Sequence, residues 1–270
     1  MKKWIMILLA ALLLWGCAKA PQPTEPTLPP TEPPPTLPPS PYTAQDYVFE
    51  NGFLTCTAGE TVLGVDVSSH QEVVDWQQVA DAGIKFAFVR LGYRGYEGGV
   101  LRMDPYARKN LAGAREAGLL VGAYFFSQAI SVGEAKREAK FAMGVLDGFQ
   151  LDLPLVYDWE YVSETARTAK MDKRTLTDCT LAFCQTAENA GYDSMVYFNS
   201  YQATELLYLE ELEQYPWWLA MYDTSLEFPC KADIWQYTES GSVPGIQWNA
   251  DVNLMFTEFG LGQAIFTDAK

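Results

Sequence analysis

"TVLGVDVSSHQEVVDWQQVADAGIKFAFVRLGYR", residues 61–94, decides the fold. "TVLGVDVSSHQ" opens with an apolar, β-branched run that reads as a strand. "DWQQVADAG" has helical spacing and a stop at Gly83. "IKFAFVRLGYR" is a second β-branched and aromatic strand. Strand, helix and strand within about thirty residues make a βαβ unit, and a βαβ unit makes parallel strands. The alternative is an open doubly wound sheet. That architecture places a glycine-rich phosphate loop after its first strand, whereas "GVDVSSHQ" places an acid, Asp66, there.

The same rhythm continues outward. "DPYARKNLAGAREAG" is a helix, "LLVGAYFFSQA" a strand, "VGEAKREAKFAMGVLDG" a helix and "LDLPLVYDWE" a strand. "DKRTLTDCTLAFCQTAENAG" is a helix, "DSMVYFNS" a strand and "YQATELLYLEEL" helical again. "WWLAMYD", "DIWQYTES" and "ADVNLMF" then read as strands with little helix between them. The expected fold class is α/β: an irregular TIM-like (β/α) barrel of about five βα units followed by a β-rich end. Before it, "DYVFENGFLTCTAGET" carries two short runs around Asn51-Gly52, the signature of a β-hairpin.

The first residues do not belong to that fold. Lys2 and Lys3 precede the apolar run from Trp4 to Gly16, which has signal-peptide length. "LWGC" resembles the lipobox of bacterial lipoproteins, which implies lipidation of Cys17. "AKAPQPTEPTLPPTEPPPTLPPSPY" has little to bury and reads as an extended tether reaching on the order of 70 Å. The expected organisation is residues 1–16 as signal peptide, 17–42 as lipidated cysteine and Pro/Thr/Glu-rich disordered tether, 43–60 as hairpin extension and 61–270 as barrel. Localisation follows: outside the cytoplasm, anchored to the outer face of the cytoplasmic membrane through Cys17 alone.

Composition narrows the partners. The formal charge of −15 argues against nucleic acid or anionic lipid headgroups. Aromatics alongside acids suit a neutral, polar, ring-shaped ligand. Cys56, Cys179, Cys184 and Cys230 allow two disulfides in three pairings, with buried free thiols preferred for a domain of this size. His70 is the only histidine and no CxxC occurs, so no metal and no cofactor are expected. A monomer is expected.

Barrel chemistry sits at the C-terminal ends of strands. Those ends carry Asp66, then Arg90 and Tyr93, then Tyr124, then Asp158 and Glu160, then Tyr197, then Trp218 and Tyr222, then Gln236, with Asp251 in the eighth region. Asp158 and Glu160 stand at i and i+2 on one strand face, where like charges repel. Such a pair fits glycoside hydrolysis, which needs a proton donor for the leaving oxygen and a negative group for an oxocarbenium-like centre. In such a pair the charge of one acid keeps the other protonated.

"GVDVSSHQ" followed by "VDW", "GIKFAFVRLGYRG", "AGLLVGAYFFSQAIS", "LPLVYDWE", "WWLAMYD" and "IWQYTESGSVPGI" with "DVN" together resemble glycoside hydrolase family 25, the barrel-shaped lysozymes (N-acetylmuramidases), especially lipoprotein members with a short hairpin ahead of the barrel. The resemblance implies cleavage of the β-1,4 bond between N-acetylmuramic acid and N-acetylglucosamine in peptidoglycan. It places the family's acids at Asp66, Asp158, Glu160 and Asp251, with Glu160 as general acid, which the charge of Asp158, helped by Asp66 and Asp251, is expected to keep protonated. Tyr124, Trp218, Tyr222, Tyr93, Tyr197, Gln236 and Arg90 are the candidate substrate-binding residues. Phe125 departs from the pattern, since "GAY" is often followed by histidine, and a change in a neighbouring pocket is expected there. Retention, inversion and assistance by the substrate's own acetamide all remain open, with assistance favoured. A non-catalytic wall-binding lipoprotein and a glycosidase for chitin-like oligomers are the alternatives.

Overall fold

The computed structural model describes residue 37 and residues 39–267. The expected signal peptide, Cys17 and most of the tether lie outside the described residues. The described chain starts with the hairpin β1 (Tyr47–Glu50) and β2 (Phe53–Cys56). Asn51 at φ 52° and Gly52 at φ 88° form the turn between them, a left-handed pair that Asn-Gly tolerates.

The barrel follows as β3 (Thr61–Val67), α1 (Trp76–Asp81), β4 (Phe86–Arg94), the short β5 (Leu101–Met103), α2 (Ala107–Glu116), β6 (Leu120–Ser127) and α3 (Val132–Leu146). It continues with β7 (Leu155–Trp159), α4 (Lys173–Glu188), β8 (Ser194–Asn199), β9 (Trp217–Ala220), β10 (Ile234–Gly241), β11 (Ala250–Phe256) and α5 (Gly260–Thr267). Asp75, Ser131 and Asp172 cap α1, α3 and α4 by accepting from the backbone N–H three residues on.

Eight strands close the barrel in the order β3-β4-β6-β7-β8-β9-β10-β11, with β11 pairing back onto β3. Short β5 flanks β4. Seven of the barrel strands run parallel, but β11 is antiparallel to both neighbours. The expected β-rich end is where the sheet departs from parallel. Only eight residues separate β10 from β11, too few for a parallel crossover. The helix expected over "YQATELLYLEEL" is also broken, into a π-helical turn at Gln202–Leu206 and a 3-10 turn at Leu209–Glu211.

Side-chain alternation divides the core into two shells. Phe86, Phe88, Tyr124, Val156, Met195, Tyr197, Trp218, Ile234 and Met255 fill the barrel interior. A Cβ on Gly64 or Gly122 would stand 2.2 or 2.3 Å from the rings of Phe86 and Phe88, so these glycines make room for the aromatic layer. Truncating a buried ring such as Phe88 to alanine would cost about 3–5 kcal/mol. The outer shell packs strands against helices and contains the four described cysteines, all buried and unbridged.

Where the β-rich end lacks helices, the hairpin takes their place. Tyr47 meets Trp235 edge-on at 5.1 Å, and the Leu54 N–H donates to the Tyr237 hydroxyl at 3.4 Å. Trp235 and Tyr237 therefore face the outer shell rather than the cleft. Phe125 also faces outward, fully buried against Phe141 of α3 and Phe183 of α4. The substitution at that position lies in helix packing, not in a pocket beside the site. Ser127 turns outward as well, to donate to Glu138 at 2.6 Å.

Candidate active site

A cavity of about 250 Å³ opens at the C-terminal ends of the parallel strands. Asp66, Arg90, Tyr124, Asp158, Glu160, Tyr197, Trp218, Tyr222, Gln236 and Asp251 all line it, so ten of the eleven barrel residues expected at the site converge. Tyr93 is outside the lining; the Arg90 guanidinium lies over its ring, 5.5 Å from the centroid. Because β11 runs the other way, Asp251 reaches this rim from the start of its strand, opposite Asp66.

The rings form the floor and walls. Trp218 is 1% exposed, stacked on Phe88 at 4.6 Å and met edge-on by Tyr197 at 5.0 Å. Arg90 is already committed. It pairs with fully buried Asp104 at 2.9 Å and donates to Ser69, so it shapes the rim from behind.

One hydrogen-bond network points at Asp66. Trp218 Nε1 donates to Asn253 Oδ1 at 2.8 Å, and Asn253 Nδ2 donates to Asp66 Oδ2 at 2.9 Å. Tyr197 and Tyr222 hydroxyls donate to Gln236 Oε1 at 2.9 and 3.2 Å, and Gln236 Nε2 donates to the same Asp66 oxygen at 2.8 Å. Each amide spends its acceptor on a donor-only or hydroxyl group and aims its N–H at the carboxylate, which favours the charged form of Asp66.

Asp158 has no such support. It is 4% exposed and its Oδ1 has no hydrogen-bond partner in the protein. Burial, then the charges of Glu160 and Asp66, push its carboxyl well above the usual range. Burial is also the largest cause at Glu160, ahead of the charges of Asp66 and Glu239, and raises it to about 7. Asp251 is raised by burial and by Asp66, to which it hydrogen-bonds, so it holds the proton while Asp66 accepts. The sequence expectation made Asp158 the standing anion. Burial raises Asp66 as well, to about 6, but its two amide donors and Asp251 hold it down, so Asp66 is the first of the four to ionise in the free protein.

Two glutamines fix the backbone around Glu160. Fully buried Gln128 donates through Nε2 to the carbonyls of Glu160 at 2.8 Å and Ser127 at 2.9 Å, while its Oε1 accepts from Thr168 at 2.6 Å. Gln202 Nε2 donates to the Trp159 carbonyl and its Oε1 accepts from the Asn199 N–H at 2.6 Å. Neither glutamine was among the sequence candidates, nor was Glu239; Asn253 was expected at the rim beside Asp251. A bulged register in β10 brings exposed Glu239 to the cavity. Among the described residues no group of His, Cys, Asp and Glu is arranged to hold a metal ion.

Residues 65–246 match the sequence profile described as Glycosyl hydrolases family 25. The chain is 32% identical over 212 residues to "Uncharacterized protein YegX" of Escherichia coli K12, covering 73% of this chain and 70% of that protein. It is 25% identical over 193 residues to the "Autolytic lysozyme" of Clostridium acetobutylicum, covering 70% of this chain and 54% of that one. Among solved structures, it superimposes on the modular autolysin LytC of Streptococcus pneumoniae in complex with a synthetic peptidoglycan ligand, with a TM-score of 0.66 and 27% identity. That match covers 78% of this chain but only half of the pneumococcal one. The bacterial lysozyme of Streptomyces coelicolor shares the fold at a TM-score of 0.62 and 23% identity, over 76% of this chain and 94% of that chain.

Proposed function

The chain belongs to glycoside hydrolase family 25 and is a glycoside hydrolase, and from that premise we propose that it cleaves the β-1,4 bond between N-acetylmuramic acid and N-acetylglucosamine in peptidoglycan, with Glu160 as general acid and base. The observation that carries this reading is the convergence of Glu160, Asp158, Asp66 and Asp251 on one aromatic-floored cavity. A carboxyl raised to about 7 holds a proton to give near neutrality and takes one back just as readily.

Glu160 protonates the glycosidic oxygen as the C–O bond breaks. The carbonyl oxygen of the neighbouring 2-acetamido group attacks the anomeric carbon and closes a ring. Water then opens that ring, giving its proton to Glu160, which returns to its starting state. Asp158 Oδ1, unpartnered in the protein, accepts the acetamide N–H and offsets the positive charge that develops on it. That hydrogen bond favours the ionised form of Asp158, so substrate supplies what the free site withholds. Asp66, held by Asn253 and Gln236, supplies the fixed negative field. Tyr124, Tyr197, Trp218 and Tyr222 shape the sugar-binding walls.

The apolar run before Cys17 and the proline-rich segment after it support placement at the outer face of the cytoplasmic membrane, tethered by the lipidated cysteine. The test of the function is incubation with purified peptidoglycan and, separately, with chitin oligomers, followed by mass spectrometry of the new reducing ends. Muramic acid at the reducing end is expected. Glucosamine ends, or cleavage of chitin alone, would replace this reading.

A further inference from the structure

Beside β10, on the outer side of the barrel, lies a second hollow of about 410 Å³. Phe49 and Phe53 of the hairpin, Tyr237 and Thr238 of β10, Val252 of β11 and Tyr222 contribute to its walls. Tyr222 belongs to both spaces. Its hydroxyl is fixed on Gln236 within the catalytic cavity, while half of the residue stays open to solvent. β10 is the partition, with Gln236 and Glu239 lining the cavity and Tyr237, Thr238 and Ser240 lining the hollow. Phe49 is 58% exposed although Tyr47 and Phe53 on the same hairpin are buried. The hairpin that presents this ring is anchored to the barrel through the Tyr47–Trp235 and Leu54–Tyr237 contacts.

We propose that this hollow is a saccharide-binding subsite, taking a further sugar of the glycan strand whose scissile bond lies in the catalytic cavity. The inference rests on the glycan-cleaving reading of that cavity. Continuity supports it, since the two spaces share the Tyr222 wall and a polymer leaving one meets the other. Chemistry supports it too, because exposed aromatic faces next to threonine and serine hydroxyls match the C–H faces and hydroxyls of a sugar. Charge selects the occupant. Asp223 is the single charged residue lining the hollow and carries a carboxylate, which disfavours the carboxylates of a stem peptide and of a bare muramic lactyl group and leaves N-acetylglucosamine, the neutral sugar of the strand, unopposed.

The test uses Phe49→Ala, made both in the active protein and in the Glu160→Gln background. Substrates are long glycan strands freed of peptide by an amidase, the same strands with peptides intact, and a tetrasaccharide. On long, peptide-free strands kcat/KM falls about five-fold, and affinity measured in the Glu160→Gln background falls by the same factor. Tetrasaccharide turnover and binding stay unchanged. An equal loss on both lengths, or no loss on long strands, overturns the subsite. A loss confined to peptide-bearing strands assigns the hollow to the stem peptide and overturns it as well. Absence of turnover on every substrate, with length-dependent binding still lost in Phe49→Ala, sinks the catalytic reading and keeps the subsite.

Discussion

Asp66 and Asp251 are directly opposed across the antiparallel pairing of β3 and β11, and they share a hydrogen bond in which Asp251 holds the proton. Opposed like charges on neighbouring strands repel. One shared proton turns that repulsion into a bond. The arrangement leaves Asp66 as the anion, and the anion is one of the groups that keeps the Glu160 carboxyl high.

Replacing the proton donor is the first test of the mechanism. Glu160→Gln keeps size and hydrogen-bonding shape but carries no titratable proton. Release of reducing ends from purified peptidoglycan should fall about 10²–10⁴-fold, with sugar binding retained. Cleavage near the normal rate would remove Glu160 from the proposed role.

The Asp66 charge should be visible in the pH profile. Asp66→Asn removes one of the charges that raises Glu160, so the acid loses its proton at lower pH. The alkaline limb of kcat should move toward acid, and a limb that stays in place would mean that burial and Glu239 set the Glu160 carboxyl without Asp66.

Stability carries the same signature with a defined sign. Glu160 is raised from an ordinary glutamate value to about 7 in the folded protein. Below its unfolded value both states are protonated and the full stability is present. As pH rises toward 7 the unfolded chain ionises first, so stability falls across that window. Thermal melting from acid to neutral pH should show this decline in the wild type and a smaller one in Glu160→Gln. Parallel curves would contradict the buried, raised carboxyl.

Gln128 should act through Glu160 rather than on substrate. Gln128→Leu leaves the Glu160 and Ser127 carbonyls and the Thr168 hydroxyl without their partner, at about 1–3 kcal/mol per buried group. With the backbone freed, Glu160 reaches water more easily. The kcat should fall with little change in KM, and the alkaline limb should shift toward acid. A loss of stability with an unshifted pH profile would make Gln128 purely structural.

The hairpin and the helices through α4 were legible because each rests on local rules. Asn51-Gly52 marks a turn, Asp75, Ser131 and Asp172 are caps, and the acids follow strand ends. The direction of β11 was harder, since "ADVNLMF" reads alike both ways. Its only signal was the short connection from β10. Phe125 was readable in principle: with Tyr124 facing inward, strand alternation sends the next residue outward. The ionisation order was not legible, because it depends on partners far along the chain. Asn253 lies 187 residues from the Asp66 it supports, and Gln236 lies 170 away. Gln128 and Gln202 escaped notice for a related reason. A glutamine reads as surface until the carbonyl it holds is known.

The antiparallel seam also ties the site to the closure of the barrel. β3 is the first barrel strand in the chain and β11 the last, so their pairing is the longest-range contact the barrel makes, the kind that forms slowly. The closing strand brings Asp251 and Asn253. Until it docks, Asp66 has neither its proton-sharing partner nor one of its two amides. A barrel whose first and last strands part therefore carries Glu160 without the field that tunes it, so the hydrolytic site depends on a seam between the two ends of the barrel's chain.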